Sequence, residues 1–201
     1  MPFDLLAALV LFAFVASITP GPNNIMLLAS GVNFGFWRTL PHMLGVGLGF
    51  VFMIVAIGVG IGQLFAIFPS LFLVLKVLSI AYMLWLAWKI ATSGPVDKSA
   101  EAGAKPMTFL AAALFQWINP KAWVMALYSV TAYTMPADYI FSLMIVALIF
   151  GVINIPSIAC WTGFGVGLRS MLQDPARVRV FNFVMASLLI ASLLPVLWEL
   201  R

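Results

Sequence analysis

Charge is what this sequence has least of. Only 8% of its 201 residues are Asp, Glu, Lys or Arg, while 64% are hydrophobic. Soluble domains are roughly 45–50% apolar and 25% charged, so this composition excludes an ordinary water-soluble protein. Apolar stretches of about 18 residues or more recur along the chain, the pattern of a helical membrane bundle rather than of a barrel with alternating strands. Acids are scarce in a second sense. The six, Asp4, Asp97, Glu101, Asp138, Asp174 and Glu199, all fall near the end of an apolar stretch or between two. None is available at membrane depth to serve a metal, a proton relay or a cationic substrate.

One cysteine, Cys160, permits no internal disulfide, and with the single histidine, His42, it makes no Cys/His cluster for a metal. No G-x-x-x-x-G-K-[ST] loop occurs and no nucleophile–base pair falls within the apolar spans, so nucleotide-driven pumping, enzymatic catalysis and a bound cofactor are not expected. The first apolar run lacks a basic segment before it and is expected to remain as a span. The net charge of +4 arises from basic residues between spans, where they report orientation rather than nucleic-acid binding.

Six spans are expected, at about 3–32, 40–66, 70–92, 107–133, 138–163 and 178–199. Arg38, then Lys89, Lys98 and Lys105, then Arg169, Arg177 and Arg179 share one side, against Arg201 on the other. The positive-inside rule places the first set in the cytoplasm and both termini outside. Five spans with a cytoplasmic N-terminus is an open alternative. The linker 93–106, with Ser93, Gly94 and Pro95, divides a single domain 1–201 into halves 1–92 and 107–201.

What the sequence does have is a pair of interruptions. Ile18-Thr19-Pro20-Gly21-Pro22-Asn23-Asn24 lies in the middle of the first span, and two prolines around a glycine cannot sit inside a continuous helix. Gly21 is expected to act as N-cap and Pro22 as first helical residue, leaving the N–H groups of Asn23, Asn24 and Ile25 at the positive end of a new half-helix. Such groups survive at membrane depth where they line a cavity or are buried in protein. A kink satisfied by neighbouring helices is the plainer reading. Asn119-Pro120-Lys121 interrupts the fourth span in the same way. Each half holds three spans, so the second enters from the opposite side. The expected fold is an all-α membrane protein of six helices in a 3+3 inverted repeat, helices 1 and 4 broken near the midplane, the sequence pointer to a transporter site.

Two basic residues fall inside spans. Lys121 is expected to add its charge to a positive half-helix end and to meet a substrate carboxylate; a lysine paired with neighbouring carbonyls is the alternative. Lys76 lies about six residues, roughly 9 Å, inside its span and could snorkel outward. A substrate ammonium is expected on the carbonyls of Ser17 and Ile18 and on amides such as Asn23, Asn24 or Gln116. Asn154 with Pro156 in the fifth span reads as a secondary break, a kink before a ligand. His42 is expected at the interface near Arg38, and Trp88 and Trp198 in an aromatic belt. Gly31/Gly35, Gly45/Gly49, Gly58/Gly62 and Gly163/Gly167 have the small-xxx-small spacing of close helix packing, and one such face could form a homodimer.

The run Thr19-Pro20-Gly21-Pro22-Asn23 resembles the signature of the LysE/RhtB family of bacterial amino-acid efflux proteins. Gly45 and Gly49, Lys76 with Ala81-Tyr82-Met83-Leu84 and Lys89, Asn119-Pro120-Lys121-Ala122-Trp123, and Asn182 with Ser187-Leu188-Leu189 fit the same family. The resemblance implies a multi-pass protein of the cytoplasmic membrane of a bacterium, in contact with lipid, that exports an amino acid. It also implies a coupling proton, for which the spans offer no Asp or Glu relay. The departures are Phe36-Trp37-Arg38-Thr39-Leu40-Pro41-His42 where the family has a more basic, glycine-containing link, Ala186 where a glycine is usual, and Met125 where exporters of basic amino acids tend to have aspartate. Met125 argues against lysine or arginine. The reading is export of a small neutral amino acid or related zwitterion by alternating access, with Thr19 to Asn24, Gln116, Asn119, Pro120 and Lys121 binding substrate. A non-transporting assembly subunit and a metal-cation exporter of related architecture are the alternatives.

Overall fold

The computed structural model describes residues 1–62, 67–92, 105–170 and 174–191. Its helices are α1 (Phe3–Ile18), α2 (Pro22–Phe34), α3 (Phe36–Ala56, continued by a wider turn over Ile57–Ile61), α4 (Pro69–Ala91), α5 (Phe109–Phe115, tightened into a 3-10 turn over Gln116–Ile118), α6 (Pro120–Tyr133), α7 (Tyr139–Leu168) and α8 (Pro175–Ala191). No strand occurs among the described residues. The linker falls largely outside them, as do Lys98, Trp198, Arg201, the acids Asp97, Glu101 and Glu199, and the side chain of Lys76.

Phe36–Ile61 and Pro136–Leu168 are each long and apolar enough to cross a membrane. The pair α1 and α2, bent by 52° at the first interruption, is long and apolar enough for a third when counted as one broken span. The outer faces of α3 and α7 carry exposed Leu48, Phe52 and Val59, and Phe141, Leu148 and Val152, surface suited to lipid chains.

Two features of the second span differ from expectation for one reason. Gly35 has φ +80°, a conformation that favours glycine, and turns α2 directly into α3. The helix therefore starts at Phe36, contains Pro41, and places His42 nearly two turns in, on a buried face, rather than at an interface. Neither of its ring nitrogens has a hydrogen-bond partner among the described residues. At the other end of α3, Gly58 O, in the turn where the ladder changes pitch, accepts from the Tyr139 hydroxyl at 2.7 Å.

α7 is the central helix, packed on α1, α2 and α3, while α3 also packs on α5, and α4 pairs with α8. Helices in lipid gain little from apolar burial against one another, so close backbone approach matters more. A Cβ on Gly49 would lie 2.6 Å from Ala113 Cα, and one on Gly45 2.7 Å from Ala112 Cβ, which fixes α3 against α5. Gly31 and Gly165 play that part between α2 and α7, each meeting the other helix's backbone. Gly163 and Gly167, expected to pack, face open space, and the contact belongs to the glycine between them.

Two larger apolar cores and a smaller third, made of Leu27, Met43, Val46, Ala112 and Ile158, lie among the described helices. The first joins Leu9 and Ala13 of α1, Phe50 to Ile57 of α3, Ala122 to Tyr133 of α6 and Leu143 to Phe150 of α7. The second joins Ile25, Met26 and Leu28 of α2, Met83 and Ala87 of α4, Phe115 of α5 and Met185, Ala186 and Leu189 of α8, with Trp161 of α7 against it. Each interrupted helix has one half in each core.

Candidate functional site

The interruption at Thr19–Gly21 exposes the last carbonyls of α1 and the first N–H groups of α2, and each needs a partner or a ligand. The carbonyls are all taken. Val15 O accepts from Thr19 N–H at 3.1 Å and Ala16 O from the Thr19 hydroxyl at 3.1 Å. Ser17 O accepts from Asn24 Nδ2 at 2.8 Å, and Ile18 O from Trp161 Nε1 at 3.0 Å. Thr19 O accepts from both Asn24 Nδ2 and Lys121 Nζ, each at 2.8 Å, and Pro20 O from Lys121 Nζ at 3.4 Å.

The donors are not all taken. Ile25 N–H closes the first turn of α2 onto Gly21 O at 3.0 Å, so it is not free as the sequence suggested. The N–H groups of Asn23 and Asn24 have no partner among the described residues. Gly21 supplies no side-chain cap. The break thus presents two unpaired donors at the positive end of a 13-residue helix, an arrangement that accepts an anion.

The second interruption is largely closed by its own residues, with Ala122 N–H left without a partner among the described residues. Asn119 Oδ1 accepts from Lys121 N–H at 3.1 Å, and Trp123 Nε1 donates to Trp117 O at 2.8 Å. Lys121 itself crosses to the first break. Besides Thr19 O and Pro20 O, its ammonium donates to Thr19 Oγ1 at 2.9 Å. A second tie runs from Asn23 Nδ2 to Gln116 Oε1 at 2.8 Å, with Gln116 Nε2 returning to Asn23 Oδ1 at 3.3 Å and to Ala112 O at 2.9 Å. Positions roughly a hundred residues apart in sequence therefore meet.

Between them lies a cavity of about 30 Å³, lined by Ser17, Gly21 to Asn24, Asn119, Lys121, Met125 and Asn154, with Ala16, Phe50, Ala122 and Ile158 as its apolar wall. That is room for about two waters and not for an amino acid. Among the described residues no carboxylate lines it. Asn154 is buried on this wall and makes no side-chain hydrogen bond among the described residues. Ser17, also on the wall, has a buried hydroxyl without a partner among the described residues.

Most residues expected at the site are brought together here. Thr19 to Asn24, Gln116, Asn119, Pro120 and Lys121 form the two breaks, and Asn154 faces them. The Ser17 and Ile18 carbonyls, expected to take a substrate ammonium, each hold one donor already, from Asn24 and Trp161, and keep a second lone pair. Trp161 and the Ser17 hydroxyl were missed. Their signal is indirect: a helix stopped by Pro20 leaves carbonyls that some distant donor must satisfy.

The LysE type translocator family matches residues 14–194. The chain belongs to that family. It is similar to the cysteine/O-acetylserine efflux proteins of Escherichia coli (strain K12), Shigella flexneri and Salmonella typhimurium (strain LT2), with 30% identity over 187 residues, 92% of this chain and 94% of theirs. No solved structure matches the chain. Like other LysE type translocators it is a multi-pass protein of a bacterial cytoplasmic membrane, and the named relatives are efflux transporters rather than enzymes. In this translocator the run Thr19-Pro20-Gly21-Pro22-Asn23, within the matched residues, is the first break itself.

Proposed function

We propose that this translocator exports a small neutral amino acid or related zwitterion by alternating access, through six spans arranged as a 3+3 inverted repeat. The observation that carries the reading is the meeting of both broken helices at one cavity, with unpaired N–H groups and a lysine but no carboxylate. The open N–H groups of Asn23 and Asn24, with Lys121, suit a substrate carboxylate. The absence of acids on the wall, with Met125 there, disfavours a cationic side chain, because a desolvated cation needs a partner charge. The relatives' named cargoes, cysteine and O-acetylserine, are both small zwitterions.

Packing supports the repeat. α1 lies on α7 as α5 lies on α3, an exchange of halves that returns the same pattern. The cavity is too small for an amino acid, so loading requires a second, more open state. Cysteine placed at the exposed Ser170, in a Cys160→Ser background, tests the orientation, because six spans put it in the cytoplasm. Labelling from outside intact cells by an impermeant thiol reagent contradicts six spans.

Proteoliposomes loaded with labelled L-cysteine, L-serine, L-threonine or L-lysine provide the functional test. Efflux of one or more neutral substrates with retention of lysine is expected, and Met125→Asp should then admit lysine. Robust lysine export by the unmodified protein overturns the argument from missing acids. No flux of any neutral amino acid overturns the transport reading.

A further inference from the structure

We propose that Lys121 is an internal competitor for the substrate's ammonium, occupying its place on the first break when the site is empty. The inference rests on the reading above and deepens it. All three acceptors of the Lys121 ammonium, Thr19 O, Thr19 Oγ1 and Pro20 O, belong to the carboxyl end of α1. This is the negative end of a helix dipole and the natural seat of any alkylammonium. An amino acid carries the same chemical group, and the other carbonyls at this helix end are committed to Asn24 and Trp161. A ligand ammonium can take the Thr19 and Pro20 acceptors only by displacing the lysine.

Displacement suits a zwitterion and little else. As the ligand's ammonium takes the α1 carbonyls, the freed Lys121 ammonium meets the ligand's carboxylate beside the Asn23 and Asn24 N–H groups. Both charges that move are paired again. A simple amine supplies no carboxylate, so it would leave Lys121 unpaired next to a second cation, a like-charge contact at low dielectric. The lysine is thereby a specificity residue that rejects amines and cations without touching the ligand's side chain.

Gly21 is fitted to this arrangement. Its backbone, φ −173° and ψ 176°, is extended and open to any residue, so conformation does not require glycine. Space does. A Cβ there would lie 2.7 Å from Lys121 Cδ and 3.1 Å from Nζ, which would push the lysine stem off the break while leaving its charge in place.

The test is binding of L-serine and its decarboxylated counterpart ethanolamine, and of L-cysteine and cysteamine, to purified wild type, Lys121→Met and Gly21→Ala. Methionine keeps the length of the stem and removes the ammonium. The amines should bind Lys121→Met at least about tenfold tighter than wild type, the weight of about one charge-assisted hydrogen bond, while the amino acid it takes binds more weakly. Gly21→Ala should shift the amines in the same direction by less, since the charge remains nearby. Ethanolamine should also raise the unfolding temperature of Lys121→Met more than that of wild type, a readout that needs no transport and confirms that the variant is folded.

Amines that bind both variants no better than wild type, or that bind none of the three proteins, overturn the inference. If the amines gain as expected but wild type neither binds nor moves any neutral amino acid, the ammonium seat stands and the export reading falls.

Discussion

The two interruptions look alike in sequence and are built differently. At the second, Asn119 caps its own helix through Lys121 N–H, and Trp123 closes onto Trp117, so the partners are neighbours in the chain. At the first, Gly21 caps nothing, and the carbonyls of α1 are held by Asn24, Trp161 and Lys121 from other elements or from across the break. A break satisfied mostly by neighbours depends little on the rest of the fold. One satisfied from a distance leaves donors open and can exchange its partners for a ligand's, which is the division of labour a binding site needs.

Substitutions can sharpen or break that contrast, read as thermal and chemical unfolding in detergent. Asn24→Ala should cost most, about 2–3 kcal/mol, because one buried amide serves both Ser17 O and Thr19 O and both acceptors lose it. Gln116→Met should cost about 1–3 kcal/mol by stranding the Asn23 amide. Adding Asn23→Leu to it should return part of the loss, and strict additivity would show that the pair is not coupled. Asn119→Ala should cost about 1 kcal/mol, the ordinary worth of an N-cap, with ligand affinity little altered if the second break is self-contained. Trp161→Phe should be mildest, about 0.5–1.5 kcal/mol for one hydrogen bond to Ile18 O. An Asn119→Ala effect larger than that of Asn24→Ala would reverse the contrast between the breaks.

Both breaks were legible from the sequence because proline, glycine and asparagine act on the backbone locally. Pro22 and Pro120 stand at the first helical positions, and Gly21 and Asn119 at the caps, as their chemistry requires. The direction of the Lys121 side chain was not legible. Its charge was expected beside an anion or, as the alternative, paired with carbonyls, and the ammonium takes the carbonyls of Thr19 and Pro20, a partner choice made by a contact between distant segments. The glycines of α7 failed for a related reason. A helix apolar on every side has no periodic pattern to say which face packs, so Gly163 and Gly167 could not be told from Gly165. His42 was misplaced because the sharp turn at Gly35 removed the loop expected before it.

The stacking of the two cores has a mechanical consequence. α7 runs unbroken past both, like a post past two floors, with Leu143 to Phe150 in the first and Trp161 against the second, whereas α1 with α2 and α5 with α6 change floor at their breaks. Loosening one floor therefore does not travel along the helical hydrogen-bond ladder of either broken span into the other. Lys121 to Thr19 ties members of the first floor, and Asn23 to Gln116 members of the second. Across the first break it is the Asn24 amide that pins α2 to the end of α1. The Asn24 amide and the Trp161 indole, which reaches Ile18 O from beside the second core, are thus the side chains that join the two floors at that break.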